Sequence, residues 1–113
     1  MTDCIFCGIV AGDIPAQITD QDEYFVAFRD IAPKAPVHLL IVPRRHVASL
    51  ADVAALSEAE RARMPVFLAE VAERAGLVDG GYRAVTNHGP NSRQAVFHLH
   101  WHILGGALLS ESM

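Results

Sequence analysis

Basic residues are scarce in this chain: nine Lys and Arg stand against thirteen Asp and Glu, a net charge of −4. Arg44–Arg45 is the one place where two of them adjoin, so a nucleic-acid-coating surface is excluded. A single phosphate group is not excluded, because local geometry rather than net charge holds it. Long apolar runs are missing too, and none approaches the roughly 20 residues that a membrane-crossing helix needs. The opening "MTDCIFCGIVAG" carries an acid at Asp3 and no basic segment, unlike a secretion leader. The chain therefore reads as cytoplasmic. There thiols stay reduced, and its two cysteines, Cys4 and Cys7, are metal ligands or packing groups before they are a disulfide. No GxGxxG and no GKS or GKT loop is present, which removes support for Rossmann and P-loop nucleotide sites. Repeats, low-complexity tracts and Pro/Gly/Ser linkers are also lacking, and the length suits one domain over residues 1–113.

What the chain does contain is an ordinary globular alternation of apolar segments and turns. "IFCGIVAGDIPA" places Ile5, Phe6, Ile9 and Val10 at helical spacing before Gly12 and Pro15, predicting one short helix. "EYFVAFRD" (23–30) predicts a strand with Tyr24, Val26 and Phe28 on one side, and "VHLLIVP" another, ended by Pro43. "LSEAERARMPVFLAEVAERAGL" is the long helix, with Ser57 and Glu60 as a capping box and Gly76 as its stop. Pro65 conflicts with it, and a kink or split is expected there. "YRAVTN" (82–87) and "FHLHWHIL" (97–104) complete the strands, joined by the polar loop "HGPNSRQA". The pattern predicts an α+β fold with a largely antiparallel sheet.

The densest chemistry lies in "HLHWH". Strand alternation puts His98, His100 and His102 on one face and Leu99, Trp101 and Ile103 on the other. The apolar set faces the core, leaving the imidazoles on the opposite surface. Two chemistries compete for them. An H-x-H strand pair holds catalytic zinc in many hydrolases, but such a site also needs carboxylates, and none occurs in residues 83–110. The neighbouring loop instead offers Asn87, Asn91, Ser92 and Gln94, with Gly89 allowing close backbone approach, a neutral set suited to phosphate oxygens. A histidine can attack phosphorus through one ring nitrogen while its other N–H is fixed by a neighbour. The middle position, His100, is flanked by imidazoles on both sides and is favoured as nucleophile.

"HLHWHIL" resembles the His-φ-His-φ-His-φ-φ signature of histidine triad (HIT) proteins at all seven positions. The likeness extends to "CIFCGIVAGDIPA", "FRDIAPKAPVHLLIVPRRHVASL" and "GYRAVTNHGPNSRQAVFHLHWHILGG", similar in order and spacing to the Hint branch of purine nucleoside phosphoramidases. The resemblance implies a five-stranded antiparallel sheet with one long and one short helix, and a homodimer whose sheets join into one of ten strands. It implies hydrolysis of adenosine 5′-phosphoramidates, such as AMP-NH2 or AMP-lysine, through a covalent AMP–His100 intermediate. His102 matches the histidine at the phosphate or bridging atom. Asn87, Gln94 and the backbone N–H of Ala95 match phosphate contacts, and Asp30 matches a ribose-binding carboxylate. Ile5, Phe6, Ile9, Phe28 and Ile31 match the apolar walls around the base, a role an Ile/Phe helix face beside a strand end suits. Their alternative is plain core packing, and for Asp30 it is a loop cap.

Cys4-x-x-Cys7 has no strand before it, which argues against a thioredoxin-type pair and leaves a zinc half-site or two buried thiols. Some relatives in the superfamily bind structural Zn2+ with Cys4, Cys7, His46 and His98 positions, and all four are filled here. His38 reads as a structural strand residue and His88 as a loop residue. Two departures stand out. Ala95 replaces a serine common in the Hint branch, and "GGALLSESM" lacks that branch's aromatic, proline-containing tail. Other readings are dinucleoside polyphosphate hydrolysis or nucleotidyl transfer, and a non-catalytic nucleotide-binding adaptor. The expected partner is a purine nucleotide substrate, with neither nucleic acid nor membrane.

Overall fold

The computed structural model describes residues 4–111. Helix α1 (Ile5–Ala11) is followed by strands β1 (Ile18–Gln21), β2 (Phe25–Arg29) and β3 (Val37–Pro43). A 3-10 segment at Leu50–Ala55 leads into the long helix α2 (Glu58–Arg74), and β4 (Tyr82–Thr86) and β5 (Trp101–Gly105) close the chain around a 3-10 turn at Pro90–Ser92. The strands form one sheet in the order β1-β2-β3-β5-β4, every neighbouring pair antiparallel. This is the α+β architecture expected from the sequence.

Strand β3 sits centrally because almost all of "VHLLIVP" is apolar, and an all-apolar run belongs where both sheet faces are covered. Its alternate residues serve two cores. Leu39 and Ile41 join Phe25, Ala27 and Ile103 beneath Phe67, Leu68, Val71 and Ala72 of α2. Leu40 and Val42 join Val26 and Phe28 against Phe6 and Ile9 of α1. The Phe25 and Phe67 rings stack at 5.6 Å, and truncating either to alanine should cost about 3–5 kcal/mol.

Helix α2 starts as expected: the Ser57 hydroxyl accepts from the Glu60 peptide (3.0 Å), and the Glu60 carboxylate accepts from the Ser57 peptide (2.7 Å) and from Arg45 Nε (2.9 Å). Burial pushes the Glu60 carboxyl up, but these donors outweigh it and hold it below its ordinary value. Ser57→Ala should therefore destabilise by about 1 kcal/mol and Glu60→Ala by about 1–3 kcal/mol, read as a lower urea midpoint.

Four details differ from the sequence reading. α2 is not split at Pro65, since the apolar face around Phe67 and Val71 offsets the lost backbone bond. β1 is too short and polar to show a period, and its pairing with β2 shifts register between Ile18 and Asp20. β2 starts at Phe25; Tyr24 belongs to a turn capped by Asp22 and packs toward α2, away from Val26 and Phe28. Finally, β5 begins only at Trp101, so His98 and His100 lie on the chain leading into it rather than on a strand spanning 97–104.

Candidate active site

The faces of the histidine segment alternate as expected, but most of both faces is buried, with only Trp101 and His102 half-buried. Leu99 and Ile103 are fully buried, and so is His98, while His100 is only 8% exposed. The cause is α1, which covers the histidine side of the sheet and brings Phe6 edge-on to His100 with ring centroids 5.0 Å apart. His100 and His102 follow at 5.2 Å. His98 and His100 are thus buried under the helix, while His102 stays half-buried at the cleft.

Hydrogen bonds settle the tautomers. The peptide N–H of Lys34 donates to His38 Nδ1 (3.1 Å), so the His38 proton sits on Nε2. That N–H is 2.9 Å from His102 Nδ1 and 3.4 Å from an Asp30 carboxylate oxygen. His102 therefore accepts at Nδ1 and carries its own proton on Nε2. His100 Nδ1 donates to the main-chain carbonyl of His98 (2.8 Å), which leaves His100 Nε2 as a bare lone pair. One imidazole is presented as a nucleophile and its neighbour as a hydrogen-bond donor.

Both histidines line a cleft of about 500 Å³ together with Lys34, His38, Asn87, Arg93, Gln94 and Ala95. His38 was expected to be purely structural, yet it is part of this site. A lone imidazole in the apolar run of β3 is the one sequence sign of it, and the register that pairs Leu40 with His102 brings it there. Burial, followed by the neighbouring His100 and His38, holds the His102 imidazole down to about 4, and burial likewise lowers His38. An unfolded histidine titrates near 6.5, so the unfolded chain binds these protons first as the pH drops. Stability should be full above about pH 6.5 and fall toward pH 4, with a slope of up to about 1 kcal/mol per pH unit for each such group. His102→Gln should flatten that slope in thermal melts between pH 7 and 5.

The loop beside the cleft is braced from within. Gln94 donates from Nε2 to the carbonyls of Ala48 (2.9 Å) and Val96 (3.1 Å) and accepts the Gly89 peptide (2.9 Å). Its amide hydrogens are thereby committed to the loop. Ser49, almost fully buried, is 2.7 Å from His88 Nδ1 and ties the far side down, so His88 anchors the loop from outside the cleft lining. The Asn87 side chain and the Ala95 peptide N–H have no hydrogen-bond partner among the described residues, and both are free to meet a ligand oxygen. The Asp30 carboxylate caps Ala32 (2.8 Å) while facing His38. Of the apolar set, Phe6, Ile9 and Phe28 are core residues, with Phe6 and Phe28 edge-on at 5.5 Å. Ile5 and Ile31 are the exposed pair, Ile31 at 98%.

On the other side of His98 lies a second cluster. One ligand atom each from Cys4, Cys7, His46 and His98 falls within 4.8 Å of the others. His98 Nε2 is held at 2.8 Å by the Pro43 carbonyl, so it carries the proton and Nδ1 is bare. Onto that single lone pair converge Cys4 Sγ (3.3 Å), Cys7 Sγ (3.5 Å) and His46 Nδ1 (3.1 Å). Hydrogen bonds alone oversubscribe it. A tetrahedral zinc with Cys2His2 ligands has edges of roughly 3.3–3.8 Å, and the cluster fits that donor chemistry. Asp30, His38 and His102 also gather within 4.8 Å, but there the Lys34 peptide occupies His38 Nδ1 and the His38 Nε2–H occupies His102 Nδ1, so hydrogen bonds account for the facing nitrogens.

The HIT domain family model matches residues 11–108. The chain belongs to the HIT family. The purine nucleoside phosphoramidase of Escherichia coli K12 is 41% identical to it over 102 residues, 90% of this chain and 86% of that one. Protein HitA of Neisseria gonorrhoeae is 44% identical over 93% of this chain and 97% of its own. A crystal structure of a HIT family hydrolase from Legionella pneumophila superposes with a TM-score of 0.91 at 39% identity, covering 97% of this chain and 98% of that one. A histidine triad protein from Clostridium difficile gives 0.89 at 36% identity, covering 100% and 98%. The HIT sheet and helices of this chain are thus those of solved HIT hydrolases.

Proposed function

We propose that this HIT protein hydrolyses purine nucleoside 5′-phosphoramidates through a nucleotidyl–His100 intermediate. One observation carries the reading: the His98 carbonyl accepts the hydrogen bond from His100 Nδ1–H and leaves Nε2 bare on a cleft of about 500 Å³ lined by no carboxylate. The Nε2 lone pair attacks phosphorus, and the P–N electron pair departs on the amine nitrogen, which is protonated from solvent. Water then attacks the same phosphorus, breaks the bond to Nε2, and releases AMP and a proton. His102 is neutral at working pH, so its Nε2–H serves as a hydrogen-bond donor to phosphate oxygen or the bridging atom. Asn87 and the Ala95 peptide add donors, while the exposed Ile5 and Ile31 offer apolar area to the base. Asp30, whose carboxylate caps Ala32 and faces His38, would accept from a ribose hydroxyl. The similar E. coli phosphoramidase supports this substrate class.

Cys4, Cys7, His46 and His98 would hold one Zn2+, whose chemistry there is structural: all four positions are protein ligands, with none left for water. We also propose a homodimer. β4 ends the sheet with an unpaired edge, and Val66, Val78 and Tyr82 beside it are exposed. Light scattering should give twice the chain mass. The function itself is tested by mixing the protein with adenosine phosphoramidate, a dinucleoside polyphosphate and a UDP-sugar in separate reactions. Release of AMP from the first is the expected result. Cleavage of the polyphosphate alone would overturn the proposal, and binding without any turnover would make the protein an adaptor.

A further inference from the structure

Arg93 is the one non-glycine residue among the described residues with a positive φ, at φ 65 and ψ 33. Its conformation is the left-handed one that asparagine and glycine adopt most readily, and strain of this kind persists where the surroundings enforce it. Arg93 follows the 3-10 turn at Pro90–Ser92, donates its peptide N–H to Pro90 (3.0 Å), and lines the cleft of His100 and His102. Of the nine Lys and Arg, Arg44, Arg45, Arg61, Arg63, Arg74 and Arg83 each donate to a carboxylate, a side-chain amide or a carbonyl. Arg29, Lys34 and Arg93 do not, among the described residues. Two of these three line the same cleft, from opposite loops, and no carboxylate lines it with them. In a chain of net charge −4 those are two cations without an ion pair among the described residues, Asp30 beside His38 being the nearest carboxylate the site shows. Asp30 and Lys34 both act electrostatically on His38 and His102, Asp30 the more strongly, and the Lys34 peptide bonds His38 Nδ1, which places Lys34 at the donor end of the site and leaves Arg93 as the cation facing the cleft from the other loop.

In the proposed function Asn87, the Ala95 peptide and His102 would already serve a single α-phosphate. We infer that Arg93 and Lys34 form a subsite for negative charge beyond that phosphate, and that the preferred leaving amine itself carries a carboxylate or a phosphate. This rests on the phosphoramidase reading for its chemistry, while the subsite can be measured without it.

The experiment compares three substrates with the same P–N bond: AMP joined to the nitrogen of glycine, of 2-aminoethyl phosphate, and of glycinamide. The first two differ from the third by carrying charge, and from each other by its source. The protein should show kcat/KM about five- to tenfold higher for one or both charged substrates than for the neutral one, and 0.5 M salt should erode that ratio. Arg93→Gly, which also relieves the left-handed backbone, should bring the ratio toward one and raise Tm by a few degrees. Lys34→Ala should lower the ratio partway. A neutral substrate cleaved as well as the charged ones, or a ratio that survives Arg93→Gly, overturns the inference. Should no phosphoramidate be cleaved, equilibrium binding of AMP and of non-hydrolysable α,β-methylene-ADP separates the two readings. Tighter binding of the diphosphate that Arg93→Gly abolishes upholds the subsite and removes the phosphoramidase, whereas equal binding overturns the subsite.

Discussion

Replacing His100 by alanine should reduce phosphoramidase turnover by about a thousandfold or more, while AMP still binds within a few-fold of its original affinity. The reasoning runs through one hydrogen bond. Because the His98 carbonyl takes the Nδ1 proton, the reactive lone pair sits on Nε2, and no other imidazole of the cleft is presented in that way. His38 is committed between Lys34 and His102, and His102 accepts at Nδ1 from His38. The nucleotide contacts come from other residues, so binding survives. His102→Ala should cost less, about 10- to 100-fold, since it removes a donor and not the nucleophile. Steady-state kinetics paired with AMP titration calorimetry separate the two effects. Undiminished turnover by the His100 variant would end the nucleophile assignment.

Metal removal should have the second largest effect. Protein purified without chelator should carry one zinc per chain by elemental analysis, and Cys4→Ser or Cys7→Ser should lower that well below one. A closed Cys2His2 site contributes folding free energy directly, and losing even about 3 kcal/mol should lower Tm by 10 °C or more in a domain of this size. Activity should fall with it, because His98 serves both sites. Its ring faces the thiols, while its carbonyl orients His100. Loosening the ring thereby loosens the nucleophile. Metal-free protein that melts and turns over like the untreated sample would reject the zinc site.

The parts of this molecule legible in its sequence are those governed by local rules. The Ser57–Glu60 capping box, the short α1 and the alternation through Trp101, His102 and Ile103 follow from side-chain chemistry over a few residues. What escaped depended on tertiary packing. A proline in α2 is tolerated because Phe67 and Val71 anchor the helix, and no local propensity reports that. His98 and His100 looked surface-facing because nothing in "FHLHWHIL" says that α1 folds back over it. His38 joins the site only through the antiparallel register of β3 with β5, a non-local pairing. Arg93 shows its left-handed backbone only in three dimensions.

The central claim is a covalent bond from His100 Nε2 to the nucleotide phosphorus. It is tested most directly by mixing enzyme with adenosine phosphoramidate, quenching in alkali within milliseconds to seconds, and mapping the adduct by peptide mass spectrometry. One AMP on the peptide holding residues 98–102, localised to His100 and absent from His100→Ala, is the expected result. Turnover without any protein-bound AMP, or with AMP on another residue, would contradict it.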